Sequence, residues 1–373
     1  MTGYVFADAP LRVYWELTRA CDLACRHCRA EAIRQRGADE LTTEECERVI
    51  GSLAAAGPPR PHLILTGGDP LKRPDLLHLV RFGTALGIGV SVAPSATVSL
   101  TQHAVRGLRE AGVEAMSLSL DGPAPAEHDG LRGILGCFGW TLVAAGRIVR
   151  AGIPLQINTL VSADTRPHLE AIGDLVATIG AARWSLFFLI SVGRGKALRT
   201  LTPEECEWTL AWVLRSARRW PFVTTTTEAP HYRRLLIQTM RAAGRPAADI
   251  HASPVSRGFG VRDGNGVMFI AANGDVSPSG FLPLVAGNVR QTDPVVLYRD
   301  HALFRALRDA SAFKGRCGVC TYRTVCGGSR ARAWAAHGDA LAEDPLCAWD
   351  PTREPMNGPA GTVDLRRAAP VTA

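Results

Sequence analysis

Along the first two thirds of the chain, apolar residues switch repeatedly between two spacings. RVYWEL, PHLILTGG, IGVSVAPS, EAMSLSLDG, IPLQINTLV and ARWSLFFLI are short apolar stretches that end in glycine or polar residues, as strands do. Between them, TTEECERVIGSLAAAG, PDLLHLVRFGTALG, TQHAVRGLREAG, GWTLVAAGRIVRAG and HLEAIGDLVATIG repeat apolar residues every three or four positions, the period of a helix with one buried face. Thr42 or Thr43 is a candidate cap for the first of these helices and Gly57 its stop. Strands separated by helices of this length predict right-handed βαβ units and a parallel sheet. Six such units fit residues 11–192, whereas a closed barrel needs eight. The pattern therefore predicts an α/β fold, a partial (β/α)6 TIM-like barrel; a doubly wound sheet shares the alternation.

Beyond the sixth strand the pattern loosens. LTPEECEWTLAWVLRSARR and RLLIQTMRAAG read as helices, with the extended PFVTTTTEAP between them. ASPVSRGFGVRDGNG reads as a loop, and GVMFIAANGDVSPSGF as a hairpin turning at Asn273-Gly274. VVLYRDHALFRALRDA reads as one helix, ahead of a compact cysteine-rich module. The expected organisation is a barrel over 1–225, a connecting region with the hairpin over 226–300, a small module over 301–350 and a Pro-, Gly- and Ala-rich flexible tail over 351–373.

In a parallel α/β fold the C-terminal ends of the strands converge on one mouth. The polar residues of this chain recur at those ends: Cys21, Cys25 and Cys28 after the first strand, Gly67, Gly68 and Asp69 after the second, Ser95 after the third, Ser119 and Asp121 at the fourth, and Asn158 in the fifth.

Composition narrows the classes. Hydrophobic residues make up 46% of the 373, enough for a sizeable core. Forty-two Lys and Arg against 35 Asp and Glu leave +7, spread along the chain, which does not mark a nucleic-acid surface. There is no run of 18 apolar residues for a membrane span, and MTGYVFADAP lacks the basic and apolar regions of a signal peptide, so the cytoplasm is the expected compartment. In that reducing setting the ten cysteines read as metal ligands, reactive groups or small buried side chains rather than a disulfide frame. Cys46, Cys137 and Cys206 stand alone and read as packing residues. The other seven form two groups.

Cys21, Cys25 and Cys28 have the spacing CxxxCxxC. Three thiolates on a tight loop suit a [4Fe-4S] cluster whose fourth iron is open to an outside ligand. The competing arrangement is zinc with His27 as fourth ligand. Cys317, Cys320, Cys326 and Cys347 supply four thiolates for a second, closed [4Fe-4S] cluster, with a four-thiolate zinc site as the alternative.

ELTRACDLACRHCRAEA resembles the signature of radical S-adenosylmethionine (SAM) enzymes, with His27 where that family usually has an aromatic residue between the last two cysteines. TGGDP resembles the family's glycine-rich motif and SLSLDG its fourth-strand segment. The C-terminal CGVCTYRTVC with Cys347 resembles the auxiliary-cluster module of SPASM or twitch type. CGGSRARAWAAHGDALAEDPLC is similar to the tail of relatives that decarboxylate tetrapyrrole propionates in heme or heme d1 formation. The likeness covers about residues 11–350.

The resemblance implies that Cys21, Cys25 and Cys28 bind a cluster whose open iron is chelated by SAM, which the reduced cluster cleaves to a 5′-deoxyadenosyl radical. It implies SAM contacts from Gly67, Gly68, Asp69, Ser95, Ser119, Asp121, Asn158 and Arg194, and an auxiliary cluster on Cys317, Cys320, Cys326 and Cys347. An external electron donor such as ferredoxin or flavodoxin is implied as well. Arg330 and Arg332 are candidates either for donation to cluster sulfur or for pairing with a substrate carboxylate. The chain departs from its relatives at Ser279 and Ser329, where they often carry Cys, which leaves one auxiliary cluster rather than two and puts Ser279 at the substrate mouth. Three functions compete: radical chemistry on a carboxylate-bearing small molecule such as a tetrapyrrole, modification of a ribosomally made peptide, and a non-catalytic iron–sulfur or zinc module. The oligomeric state stays open.

Overall fold

The computed structural model describes residues 6–216, 218–253 and 258–353. Strands β1 (Arg12–Glu16), β2 (His62–Thr66), β3 (Val90–Val92), β4 (Ala115–Ser119), β5 (Leu155–Val161) and β6 (Arg183–Phe188) lie side by side in sequence order, all parallel. Helices α1 (Thr43–Ala55), α2 (Leu76–Ala85), α3 (Gln102–Glu110), α4 (Pro125–Arg132), α5 (Cys137–Arg150) and α6 (Leu169–Ile179) make the crossovers. Past β6 come α7 (Pro203–Ser216), a seventh parallel strand β7 (Val223–Thr227), α8 (His231–Ala242) and α9 (Ala247–Ala252). The chain then returns to the opposite edge. After the short β8 (Arg262–Asp263), β9 (Gly266–Ile270) pairs parallel with β1, and β10 (Asp275–Ser277) and β11 (Gly287–Asn288) continue antiparallel. No pairing joins β7 to β11 among the described residues, so the barrel is open. Helices α10 (Pro294–Asp300), α11 (Ala302–Arg308), α12 (Gly315–Val319) and α13 (Arg330–His337) complete the C-terminal module.

Residue alternation decides what faces the barrel interior. Leu63 and Leu65, Met116 and Leu118, Ile157, and Trp184 and Leu186 are buried in the main core with the helices. Their neighbours Thr66, Ser117, Ser119, Asn158 and Phe187 point the other way and line an internal cavity. The period of two thus sorts apolar residues outward to the helices and polar ones inward to the site. Helix α1 starts as expected: Thr42 accepts from the Glu45 amide while the Glu45 side chain accepts from the Thr42 amide, a reciprocal cap that contributes about 1 kcal/mol.

The structure differs from the sequence pattern in two places. The single helix expected over VVLYRDHALFRALRDA is two, because His301 adopts an extended backbone and its Nδ1 accepts from the Leu303 amide, capping α11. Helix α4, between SLSLDG and α5, escaped the sequence pattern. The loop expected at ASPVSRGFGVRDGNG lies partly outside the described residues. So does the tail expected over 351–373, apart from a single 3-10 turn at Pro351–Arg353. Among the described residues no single helix is long and apolar enough to cross a membrane.

Candidate active site

The loop after β1 carries Cys21, Cys25 and Cys28 across the C-terminal mouth of the barrel, where all three line one cavity of about 260 Å³. The loop is pinned from three sides. The amides of Ala24 and Arg26 donate to the last carbonyls of α4, those of Arg132 (3.2 Å) and Leu131 (2.9 Å). The Arg194 amide donates to the Cys28 carbonyl at 3.1 Å. From below, the Gly68 and Asp69 amides donate to the Thr18 and Ala20 carbonyls, each at 2.7 Å.

That last contact explains the two glycines. A Cβ on Gly67 would stand 2.4 Å from the Thr18 carbonyl oxygen, and one on Gly68 2.4 Å from that of Ala20. Backbone lies flush on backbone, and only glycine fits. We expect Gly68→Ala to displace the cysteine loop and cost about 1–3 kcal/mol through overpacking. Weaker SAM binding and lower bound iron would be read by equilibrium dialysis and iron assay. Gly51→Ala, whose Cβ meets nothing within 4 Å, serves as the neutral control.

Gly67, Gly68, Ser95, Ser119, Asp121, Asn158 and Arg194 all reach the cavity wall, together with the three cysteines. Asp69 does not. Its carboxylate turns into the fold and accepts from the amides of Leu71 (3.1 Å) and Ser95 (3.3 Å) and from the Thr97 hydroxyl (3.4 Å). The charge expected from Asp69 at the cavity is therefore spent on holding two strand-end turns together, and burial pushes its pKa up to about 6. Ser95 donates to the Gly68 carbonyl at 2.8 Å and sits 3.3 Å from Cys21 Sγ.

Two further charged groups complete the wall. Arg132, at the end of α4, donates to Cys25 Sγ at 3.6 Å and pairs with Asp121. Although burial alone would raise the Asp121 pKa, Arg132 holds it below the usual carboxylate range. Arg194 presents Nε and one terminal nitrogen that are buried and lack a partner among the described residues. An unpaired buried guanidinium is costly, and an anionic group entering the cavity would satisfy it. His27 is neutral at physiological pH, because burial pushes it down to about 4, and its Nδ1 is also without a partner among the described residues. Arg29 pairs with Glu16 at 3.2 Å and stacks 4.4 Å over the Phe269 ring. Cys137, read as packing, is buried but also forms part of this wall.

The second group converges as well. Cys317, Cys320, Cys326 and Cys347 line one small cavity of about 30 Å³ with His231, Arg234 and Trp349. Three backbone amides aim at their sulfurs: Asp344 at Cys317 (3.5 Å), Tyr322 at Cys320 (3.4 Å) and Gly328 at Cys326 (3.5 Å). Burial pushes the thiol of Cys326 up to about 11 and that of Cys347 up to about 12, so binding of a metal there would release protons.

Arg330 is fully buried. It donates to Cys317 Sγ (3.6 Å) and to the carbonyls of Gly328, Ala340 and Ala342. Arg332 pairs with Asp344 and donates to the Glu228 carbonyl. Neither guanidinium reaches the large cavity, so the carboxylate-pairing role considered for both is not matched by their placement; donation to sulfur is, for Arg330. Ser279 is also buried off that wall, its hydroxyl accepting from the Phe281 amide, and Phe281 lines the cavity in its stead. Ser329 caps α13, accepting from the Arg332 amide at 3.1 Å and donating to Glu228 at 2.5 Å. Cys206 lies 3.1 Å from His231 Nε2 inside the fold, where burial raises its pKa and keeps it a thiol.

The radical SAM superfamily model matches residues 15–176. The AdoMet-dependent heme synthase of Oleidesulfovibrio alaskensis is 38% identical over 345 residues, covering 92% of this chain and 88% of that protein. This chain belongs to the radical SAM superfamily. The pre-heme d1 synthase of Dinoroseobacter shibae is 30% identical over 351 residues, 90% of this chain and 85% of the relative. In fold, the radical SAM chain is similar to Streptococcus suis SuiB bound to S-adenosylmethionine, with a TM-score of 0.72 at 17% identity over 92% of this chain and 78% of SuiB. The fold, extending over the C-terminal module, is thus shared by chains of distant sequence.

Proposed function

We propose that this radical SAM enzyme acts on a carboxylate-bearing, heme-type tetrapyrrole, with oxidative decarboxylation of a side chain as the reaction. The observation that carries it is the wall of the large cavity: three cysteines, the unpartnered guanidinium of Arg194 and the inner polar faces of β4 and β5 in one space. Identity of 38% to a heme synthase over nearly the whole chain supports the substrate class.

In this reading Cys21, Cys25 and Cys28 hold a [4Fe-4S] cluster whose open iron takes SAM. Held there, the cluster and SAM would together supply the one-electron chemistry that removes hydrogen from substrate carbon. The chain's own residues do the rest. Arg194 meets the SAM carboxylate, Ser119 and Asn158 offer hydrogen-bonding groups from adjacent strands, and Arg132 donates to Cys25 while Asp121 balances its charge. Gly67 and Gly68 let the cysteine loop lie close enough to share the cavity with SAM.

Cys317, Cys320, Cys326 and Cys347 hold one auxiliary [4Fe-4S] cluster. Among the described residues no three His, Cys, Asp or Glu side chains gather closely enough to hold a single ion. Four thiolates lining one cavity suit a cluster with a separate iron for each, and a four-thiolate zinc site is the alternative that metal analysis distinguishes. Electrons for the SAM cluster come from an external donor, a ferredoxin or flavodoxin.

The test is anaerobic reconstitution with iron and sulfide, followed by SAM, reductant and either an iron-bound propionate-bearing tetrapyrrole or a candidate precursor peptide. Deoxyadenosine with loss of carbon dioxide from the tetrapyrrole is the expected result. Deoxyadenosine coupled only to the peptide would overturn the substrate class, and no deoxyadenosine with an intact reducible cluster would overturn the enzyme.

A further inference from the structure

Two buried arginines around the auxiliary cysteines have a carboxylate to face, Arg234 with Glu207 and Arg332 with Asp344, as does the half-exposed Arg316 with Glu343. Arg262 and Arg330 do not. Both are buried, and among the described residues neither has a carboxylate within ion-pair distance. Arg262 donates only to the carbonyls of Gly260 (3.0 Å), Arg308 (3.2 Å) and Leu307 (3.3 Å). Arg330 bonds to three carbonyls and to Cys317 Sγ. The two guanidinium groups also stand over one ring, Phe313, at 4.9 Å and 4.5 Å. Gly327, on the cavity wall, is packed so closely on Arg262 that a Cβ would fall 3.0 Å from its Cδ and 3.1 Å from its Nε.

Two like charges, desolvated and sharing an aromatic ring, repel each other, and burial without an anion is costly. The cysteine sulfurs are among the groups able to carry compensating negative charge: Arg330 donates to Cys317 Sγ, and Arg262 lies in the field of Cys326 as well as of Asp263. A cluster held by four thiolates has one more negative charge than a cluster held by three, which makes it harder to reduce. Fixed positive charge beside it acts in the opposite sense, stabilising the reduced form with its additional electron. At the SAM site the comparable donor to sulfur, Arg132, is paired with Asp121, whereas Arg330 has no such carboxylate among the described residues.

We propose that Arg262 and Arg330 are potential-setting residues: their unbalanced charges raise the reduction potential of the auxiliary centre and keep it able to accept an electron despite its fourth thiolate. This rests on the four thiolates holding a cluster. It requires no substrate, so it stands or falls separately from the tetrapyrrole assignment.

The test is an EPR-monitored redox titration of the full-length Cys21→Ala/Cys25→Ala/Cys28→Ala chain, in which only the auxiliary centre remains, with iron and sulfide counted in every sample. In that background Arg262→Met and Arg330→Met should each favour the oxidised form at least tenfold at a given applied potential, a fall of 59 mV or more for one electron. Arg262→Lys and Arg330→Lys, which keep the charge, should recover most of it. Arg262 touches no cysteine sulfur, so its variant carries the test if Arg330→Met loses iron. A Met variant with full cluster content and the parent potential overturns the proposal, as does a Lys variant that falls as far as Met. Zinc in place of iron in the parent chain overturns both the proposal and the cluster assignment, whereas shifted potentials in a chain that leaves tetrapyrroles untouched overturn the substrate assignment alone.

Discussion

Cys25→Ala abolishes SAM cleavage: deoxyadenosine falls to the level of a blank without enzyme, measured by chromatography after incubation with excess dithionite. Cys21→Ala and Cys28→Ala do the same. The expected loss is complete rather than partial because in the proposed cluster each of the three sulfurs would bind a different iron. Cys25 also accepts a hydrogen bond from Arg132, so its removal strands a buried guanidinium beside Asp121. Deoxyadenosine near the parent level in any of the three variants would contradict the cluster assignment.

Cys326→Ala separates the two centres. Bound iron drops from about eight to about four atoms per chain. SAM is still cleaved, because the mouth of the barrel is intact, but substrate turnover is lost. Deoxyadenosine and product are measured in the same sample; parent-level product with half the iron would show that the auxiliary centre is dispensable, and unchanged iron with zinc detected would show that it is no cluster. Cys326 is the informative choice among the four. It is the most deeply placed, buried against Tyr322, Ile237 and Ile250, so its loss cannot be replaced by solvent.

Much of this arrangement is legible in the sequence for a physical reason. The alternation of strand and helix periods reports the sheet order directly, since neighbouring parallel strands need a crossover between them and the six expected strands occur in order. The close spacing of Cys21, Cys25 and Cys28 on one loop predicts their convergence, whereas Cys347 joins Cys317, Cys320 and Cys326 only because the chain returns past α13. What the sequence hides depends on tertiary contact. Arg132 follows Asp121 by eleven residues on a helix that the pattern did not reveal, and only the docking of α4 against the cysteine loop puts it on Cys25. Asp69 belongs to a motif whose carboxylate can turn outward or inward; the amides of Leu71 and Ser95 turn it inward. Arg330 looks from the sequence like a surface helix charge as readily as a buried donor, and its burial follows from the return of residues 340–342 over it. Ser329 shows the converse. A thiolate lost from an expected cluster position becomes a helix cap, a task for which a hydroxyl is well suited.

The most direct test is the EPR spectrum of the reduced Cys317→Ala/Cys320→Ala/Cys326→Ala chain, which retains only the N-terminal centre, recorded with and without SAM labelled with 17O in its carboxylate. A changed signal, broadened by the label, is the expected result of an iron that no protein side chain occupies. A signal identical in both samples, or one showing nitrogen coupling from His27, would contradict it.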